Sequence, residues 1–343
     1  MRQRGLDALL LTSPPDIRYL TGFHGEESWA FLTPRSVVIV SDLRFQEELE
    51  GVRGSRVVMR AGPIAEAAAD ALPSAGVVGI QAEHMSVATR AGLARLIGAR
   101  RLRPTTGLVA GLRAIKDESE IAQIRKAVRV QERALLATLD LVEPGVREAD
   151  IAAELEHRMK SLGAEGLAFD TIVAAGAHGS KPHYRPAGAR VRAGKTLLID
   201  WGAVVGGYCG DMTRTFALGR WPRALREIYE IVLEAHEAAI DAAGPGKKCA
   251  AVDAAARSII ERAGYGRQFG HGLGHGMGLE VHEAPRLSRT STDVLEPGMV
   301  VTIEPGVYLP GLGGVRIEDD IVITERGRRR LSTLPKAIDW ATR

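Results

Sequence analysis

Cysteine is almost absent from this chain, with only Cys209 and Cys249 in 343 residues. That excludes a disulfide framework and a thiolate zinc site. An excess of one charge is lacking too: 45 Lys and Arg against 42 Asp and Glu leave +3, too little to argue for nucleic acid as a partner. The run Arg328–Arg330 reads as a solvated loop rather than a phosphate clamp. No uninterrupted apolar run reaches the roughly 18 residues of a membrane span, so no membrane partner is expected. The opening MRQRGLDALLLTSPP has a short apolar run broken by Asp7 and then a proline pair. It reads as a strand and turn, not a signal peptide. A cytoplasmic, reducing location is the expectation.

What is present is an ordinary globular composition, 45% hydrophobic and 25% charged, long enough for two domains. In the first third, LDALLLT, WAFLTP, SVVIVSD and GVVGI have the texture of strands, while FQEELEGV, IAEAAADAL and SVATRAGLARLIGA repeat apolar residues at helical spacing. A small α/β domain follows. The texture changes near residue 115. KDESEIAQIRKAVRVQERALLATLDL, residues 116–141, is one amphipathic helix with Asp117 or Ser119 as its cap. The boundary falls just before it, giving domains 1–114 and 115–343, although a surface loop within one domain is the alternative.

The second part reads as two helices, a hairpin, two helices and a second strand–loop–strand, a coarse internal duplication. The first hairpin, TLLIDWGAVVGGYCGDMTRTFAL, turns at Gly206–Gly207. The second pair is MVVTIEPGVYLPGLGGVRIEDDIVIT. The fold class is therefore mixed α/β (α+β).

Between them lies FGHGLGHGMGLEVHEAP, residues 269–285, which holds three of the nine histidines. On a helix His271 and His275 would share a face, but each interior glycine costs a helix about 1 kcal/mol. The segment is extended or looped; in an extended chain alternation again puts 271 and 275 on one side, and glycine lets backbone or ligand approach.

Four acids could answer these histidines. Asp200 ends the run TLLI, Asp211 opens the return strand, Glu304 ends VVTI, and Glu318 sits across a turn in GVRIEDD. Each interrupts a stretch that otherwise reads as buried. Two like charges 4 Å apart cost about 4 kcal/mol at an effective dielectric near 20. Taken singly, each acid could serve as a turn residue, a cap or the partner of Arg214 or Arg316. Taken together with His275, they form an oxygen-rich ligand set for two divalent cations, Mn²⁺, Co²⁺ or Zn²⁺.

With those motifs in their order, the sequence resembles the pita-bread metallopeptidases, the family of creatinase, aminopeptidase P, prolidase and methionine aminopeptidase. The resemblance spans nearly the whole chain: SPPDIRYLTGF and SDLRFQEE look like the creatinase-type N-terminal domain, and DWGAVVGGYCGDMTRTF, HGLGHGMGLEVHEAP, VTIEPGVY and GVRIEDDIVIT like the catalytic one. It implies that Asp200, Asp211, His275, Glu304 and Glu318 are the five ligands of a dinuclear site. None is substituted, which argues against the metal-free creatinase branch, and the N-terminal domain argues against methionine aminopeptidase.

The resemblance further implies hydrolysis of the bond before proline by a hydroxide bridging two divalent ions. Glu304 would also shuttle the proton to the leaving nitrogen. His183, in SKPHYRP, would lie over the substrate, and His271 and His282 would line the pocket. Arg286 occupies the place of an arginine that binds a substrate carboxylate in prolidase-like members; a solvent-facing loop arginine is the alternative. Thr213 and Arg316, two residues from Asp211 and Glu318, would share their strand faces and orient the carboxylates. An ordinary cross-strand ion pair is the other reading of Arg316. His24, His84, His157, His178 and His236 are left to surface or packing roles.

The expected substrate is a proline-containing dipeptide, with longer Xaa-Pro peptides, as for aminopeptidase P, the alternative. A peptide-binding module without turnover is a reading from a different class. A homodimer is implied by the resemblance alone.

Overall fold

The apolar runs at the start of the chain pair into one sheet. In the computed structural model, which describes residues 1–343, strands β1 (Ala8–Leu11), β2 (Trp29–Leu32), β3 (Val37–Ser41), β4 (Ser55–Met59), β5 (Val78–Gln81) and β6 (Leu102–Thr105) lie in the order β4-β3-β2-β1-β5-β6. β1–β2–β3 is antiparallel, and β4, β5 and β6 join in parallel. Leu10 belongs to one core cluster while Leu9 and Leu11 belong to another, so side-chain alternation feeds both faces. Helices α1 (Pro14–Thr21), α2 (Gln46–Glu50), α3 (Ile64–Ala71) and α4 (Val87–Ile97) belong to this unit, and α5 (Ala110–Ala114) follows β6.

Three of these elements are not evident in the sequence. Pro14–Pro15 opens a helix instead of a turn, because proline suits the first helical turn, where its missing N–H would have no partner. β4 and β6 carry Ser, Arg and Pro between apolar residues. As edge strands they tolerate such residues.

The chain divides into two compact units, Met1–Arg113 and Ala114–Arg343. The second opens on α6 (Glu118–Thr138), where Asp117 accepts from the backbone of Ser119 and Glu120, and Glu120 reaches back to the Asp117 N–H. Such a capping box adds about 1 kcal/mol. α7 (Glu148–Ser161) is followed by β7 (Gly166–Leu167), β8 (Ile172–Ala175), β9 (Thr196–Trp201), β10 (Ala203–Val205), β11 (Tyr208–Cys209) and β12 (Met212–Ala217). Then come α8 (Arg223–Ala242), α9 (Cys249–Arg262), β13 (Gly274–Gly276), β14 (Glu283–Leu287), β15 (Val300–Ile303), β16 (Gly306–Leu309), β17 (Gly313–Arg316), β18 (Asp319–Thr324) and β19 (Gly327–Arg330). No helix is long and apolar enough to cross a membrane.

Each sequence hairpin proves to be two hairpins, one nested in the other. β9 pairs with β12, while β10 and β11 form an inner hairpin. Gly206 and Gly207 there have φ of 59° and 80°, the left-handed pair that a tight two-residue turn requires. Likewise β15 pairs with β18 around the inner pair β16–β17. The strand cores are buried on both faces, as two layers of helix and sheet demand.

β13 explains the glycines of the histidine ribbon. It is only three residues long and lies between β14 and β15. A Cβ at Gly274 would collide with the Thr302 carbonyl oxygen, and one at Gly276 with that of Ala284. Glycine is therefore needed for strand approach. His271 lies outside β13, so strand alternation does not relate it to His275.

Candidate metal centre

The two nested hairpins bring their acids to one place. Asp200, near the end of β9, is directly opposite Thr213 on β12. Asp211 precedes β12, Glu304 follows β15, and Glu318 precedes β18. The hairpins are joined through backbone: the Glu318 N–H donates to the Thr213 carbonyl at 3.2 Å. Behind them the buried Arg214 donates to the carbonyls of Thr213 (3.0 Å) and Glu318 (2.5 Å) and to the Asp319 carboxylate (2.8 Å).

Asp211, His275 and Glu318 each offer a ligand atom, all within 4.8 Å of one another. The His275 Nε2 is 3.6 Å from Asp211 Oδ2 and 3.4 Å from Glu304 Oε1. Its Nδ1 faces the Gly276 carbonyl at 3.1 Å, to which it can only donate. Burial, then His282, presses the His275 pKa down to about 4. The ring is thus neutral with its Nε2 lone pair turned toward two carboxylates. A neutral imidazole lone pair and two carboxyl groups in such close contact form a donor set that a cation would satisfy better than shared protons do.

The carboxylates carry the same signature. Burial, then Glu318 and Asp200, raises Asp211 well above the usual range, and burial, then Glu304, does so for Glu318. Burial lifts Glu304 to about 8. Asp200 is raised by burial against the pull of Arg316, and its buried Oδ1 has no hydrogen-bond partner. Divalent cations fit this donor set.

The remaining expected residues are at or around this cluster. Arg316, also buried, reaches Asp200 Oδ2 at 2.5 Å, rather than Glu318 two residues away. It also donates to Thr213 Oγ1 at 2.9 Å, and the Thr213 hydroxyl in turn donates a hydrogen bond to Glu318 Oε2 at 2.6 Å. His282 packs against His275 with the rings tilted by 60° and their centroids 4.3 Å apart, and its pKa is lowered by burial and then Arg286. His183 is exposed but within electrostatic reach of Asp200, His271 and His282. Arg286 stands on β14 directly opposite His275, not in a loop; cross-strand partners share a face. His271 is held down to about 4 by burial and then Arg316. Both its nitrogens are engaged, Nδ1 with the Gly272 carbonyl (2.8 Å) and Nε2 with the Tyr308 hydroxyl (2.9 Å).

Sequence reasoning missed Tyr308, which accepts from Arg316 at 2.8 Å and links it to His271. The signal was a tyrosine four residues past Glu304 in EPGVY. It also missed Asp320, the third acid of EDD, which accepts the Asp211 N–H at 3.2 Å. Asp253 and Arg257, an i,i+4 pair on α9, hold the ribbon: Arg257 donates to the Phe269 and His271 carbonyls at 2.9 and 2.7 Å. Of the histidines left to packing, His236 is fully buried beside Asp319, while His24 is exposed.

A two-unit chain with an acid- and histidine-lined centre between nested hairpins is the class of a metal-dependent hydrolase. Residues 122–325 match metallopeptidase family M24 and residues 1–115 the creatinase/prolidase N-terminal domain; the chain belongs to this family, with its pita-bread fold. Membership implies divalent metal ions. Over 225 residues, 66% of this chain and 65% of the relative, it is 47% identical to an Xaa-Pro dipeptidase of Pyrococcus furiosus. The solved Xaa-Pro dipeptidase from Bacillus anthracis superposes with a TM-score of 0.95 at 37% identity, covering 98% of this chain and 96% of that one. An X-Pro aminopeptidase from Thermotoga maritima gives 0.90 at 34%, covering 97% of each.

Proposed function

We propose that this chain hydrolyses the peptide bond preceding proline in Xaa-Pro dipeptides. The observation that carries the reading is the buried meeting of Asp200, Asp211, His275, Glu304 and Glu318, which has far more acceptors than donors. These five would hold two divalent cations, with Mn²⁺, Co²⁺ and Zn²⁺ all suited to the set. When bound, the cations supply Lewis acidity and a water of lowered pKa.

The chain's own residues do the rest. Arg316 and Thr213 hold Asp200 and Glu318 through hydrogen bonds, which preserves ligand geometry. Glu304 is weakly held, its Oε1 accepting one long 3.4 Å bond from Thr302. It is therefore free to carry a proton to the leaving nitrogen, which as a tertiary amide has none of its own. His183 and His282, both exposed to the centre's surroundings, hydrogen-bond the substrate. His271, with both nitrogens committed, acts through Tyr308. Arg286 offers a guanidinium to the proline carboxylate.

The similarity to an X-Pro aminopeptidase favours longer Xaa-Pro peptides as the second reading. A substrate-length series on chelator-stripped protein, with each metal added back, separates the two. Xaa-Pro should be cut faster than Xaa-Pro-Yaa, and the reverse order overturns the dipeptidase reading. Turnover that survives thorough chelation overturns the metal mechanism. Arg286→Ala should raise KM for dipeptides about tenfold and leave tripeptides little changed; an equal effect on both removes its role. Thr213→Val, nearly isosteric, should weaken metal affinity about 10- to 100-fold by freeing Glu318 and Arg316, measured by metal titration. Two buried cysteines outside any disulfide fit a reducing, cytoplasmic setting, and the family resemblance supports a homodimer.

A further inference from the structure

His183 lies in the loop between β8 and β9, and a single carboxylate ties together three points of the first half of that loop. Glu148, the first residue of α7, is fully buried. Its Oε1 accepts the Ala175 N–H at 2.7 Å and faces His178 Nδ1 at 2.8 Å, while its Oε2 accepts the Tyr184 hydroxyl at 2.8 Å. The His178 and Tyr184 rings stack, centroids 4.4 Å apart and 26° between planes. The loop thus closes over Glu148 from both sides, with His183 next to the second anchor. Gly179 backs against Gly314 of β17, leaving no room for a side chain on Gly314. Tyr184 also packs on the cluster of Ile172, Ala174, Leu198 and Tyr308, so its position is tied to the hydroxyl that links His271 and Arg316.

A buried carboxylate is a poor source of stability: apolar side chains of similar volume do as well or better, and its use lies in fixing one arrangement. Here the arrangement fixed is the path of residues 175–184. We propose that Glu148 is a positioning residue for the reaction, setting the loop so that His183 is held where the substrate binds. This rests on the reading of His183 as a substrate-binding group.

The test compares Glu148→Ala, Glu148→Gln, Tyr184→Phe, His183→Ala and the double variant Glu148→Ala/His183→Ala in metal-loaded protein. Glu148→Ala should raise KM for an Xaa-Pro dipeptide roughly tenfold with kcat within about threefold. Glu148→Gln keeps the acceptor for Ala175 and His178 and loses only that for Tyr184, so it should recover most of the KM and match Tyr184→Phe. In the double variant the effects should not add, because Glu148 acts through a histidine no longer there. Hydrogen exchange over residues 175–184 should rise in Glu148→Ala while the rest of α7 keeps its protection. Full additivity, or unchanged loop exchange, overturns the proposal. Should Glu148→Ala not fold, Glu148→Gln and Tyr184→Phe carry the same exchange and KM comparison. A wild type inactive on Xaa-Pro overturns the substrate reading alone, since loop exchange is read without turnover.

Discussion

Asparagine in place of Asp211 is expected to lower kcat/KM for Xaa-Pro dipeptides by at least about a thousandfold, while making the metal-free protein more stable. Both effects have one cause. Asp211 lies in a buried cluster where Glu318, Asp200 and Asp320 repel its charge, and its Oδ2 faces the His275 Nε2 lone pair. Asparagine has nearly the same shape, so packing is conserved. It removes the anionic oxygen a divalent cation would take, a larger loss than the 10- to 100-fold seen when a group supporting a ligand is changed. Without metal, the same change removes a buried carboxyl that must either hold a proton or bear its neighbours' repulsion, expected to add about 1–2 kcal/mol. The measurements are metal content after dialysis, kcat/KM, and thermal midpoints with and without metal. A variant that retains both metal and turnover would remove Asp211 from the centre.

The second large effect concerns pH. Chelator-stripped protein is expected to lose stability as the pH rises from about 6.5 to 8, and metal-loaded protein is not. Burial raises the Glu304 carboxyl to about 8 in the folded chain against an ordinary 4.5. The folded state therefore keeps a proton that the unfolded state has released. That contribution is fully present below 4.5 and lost as pH climbs through 8. Asp211, Glu318 and Asp320 are raised in the same direction, by burial first. His271 and His275, held down to about 4 by burial, act in the opposite sense but only below about 6.5. The window above 6.5 thus belongs to the carboxylates. One such group contributes about 2 kcal/mol across it, which in a unit of this size lowers the midpoint by roughly 4–8 °C. Scanning calorimetry at the two pH values checks it. A midpoint that is flat or rises in stripped protein would mean that the acids do not share an enclosed space.

Much of this centre was legible because its parts interrupt patterns. Asp200 and Glu304 end apolar runs, Asp211 and Glu318 begin return strands, and three histidines sit among glycines that no helix would accommodate. What such spacing does not carry is direction. The alternation that placed His271 beside His275 fails, because β13 covers only Gly274–Gly276. The same rule led to Arg316 as a support, yet its guanidinium goes to Asp200, 116 residues away in sequence, and not to the neighbouring Glu318.

Local chemistry, then, was decided by the chain alone: the α6 cap at Asp117, the turn at Gly206–Gly207, the strand ends and the kinds of side chain they present. These depend on backbone preferences and periodicity within a few residues. Tertiary structure alone decided which oxygen of Asp200 is held, that Tyr308 joins His271 to Arg316, that Arg286 stands opposite His275, and that Glu148 collects the His183 loop. Each of those depends on register between strands or on the packing of distant segments. Distances of 2.5 to 3 Å there are determined by how two nested hairpins meet, which no stretch of sequence encodes by itself.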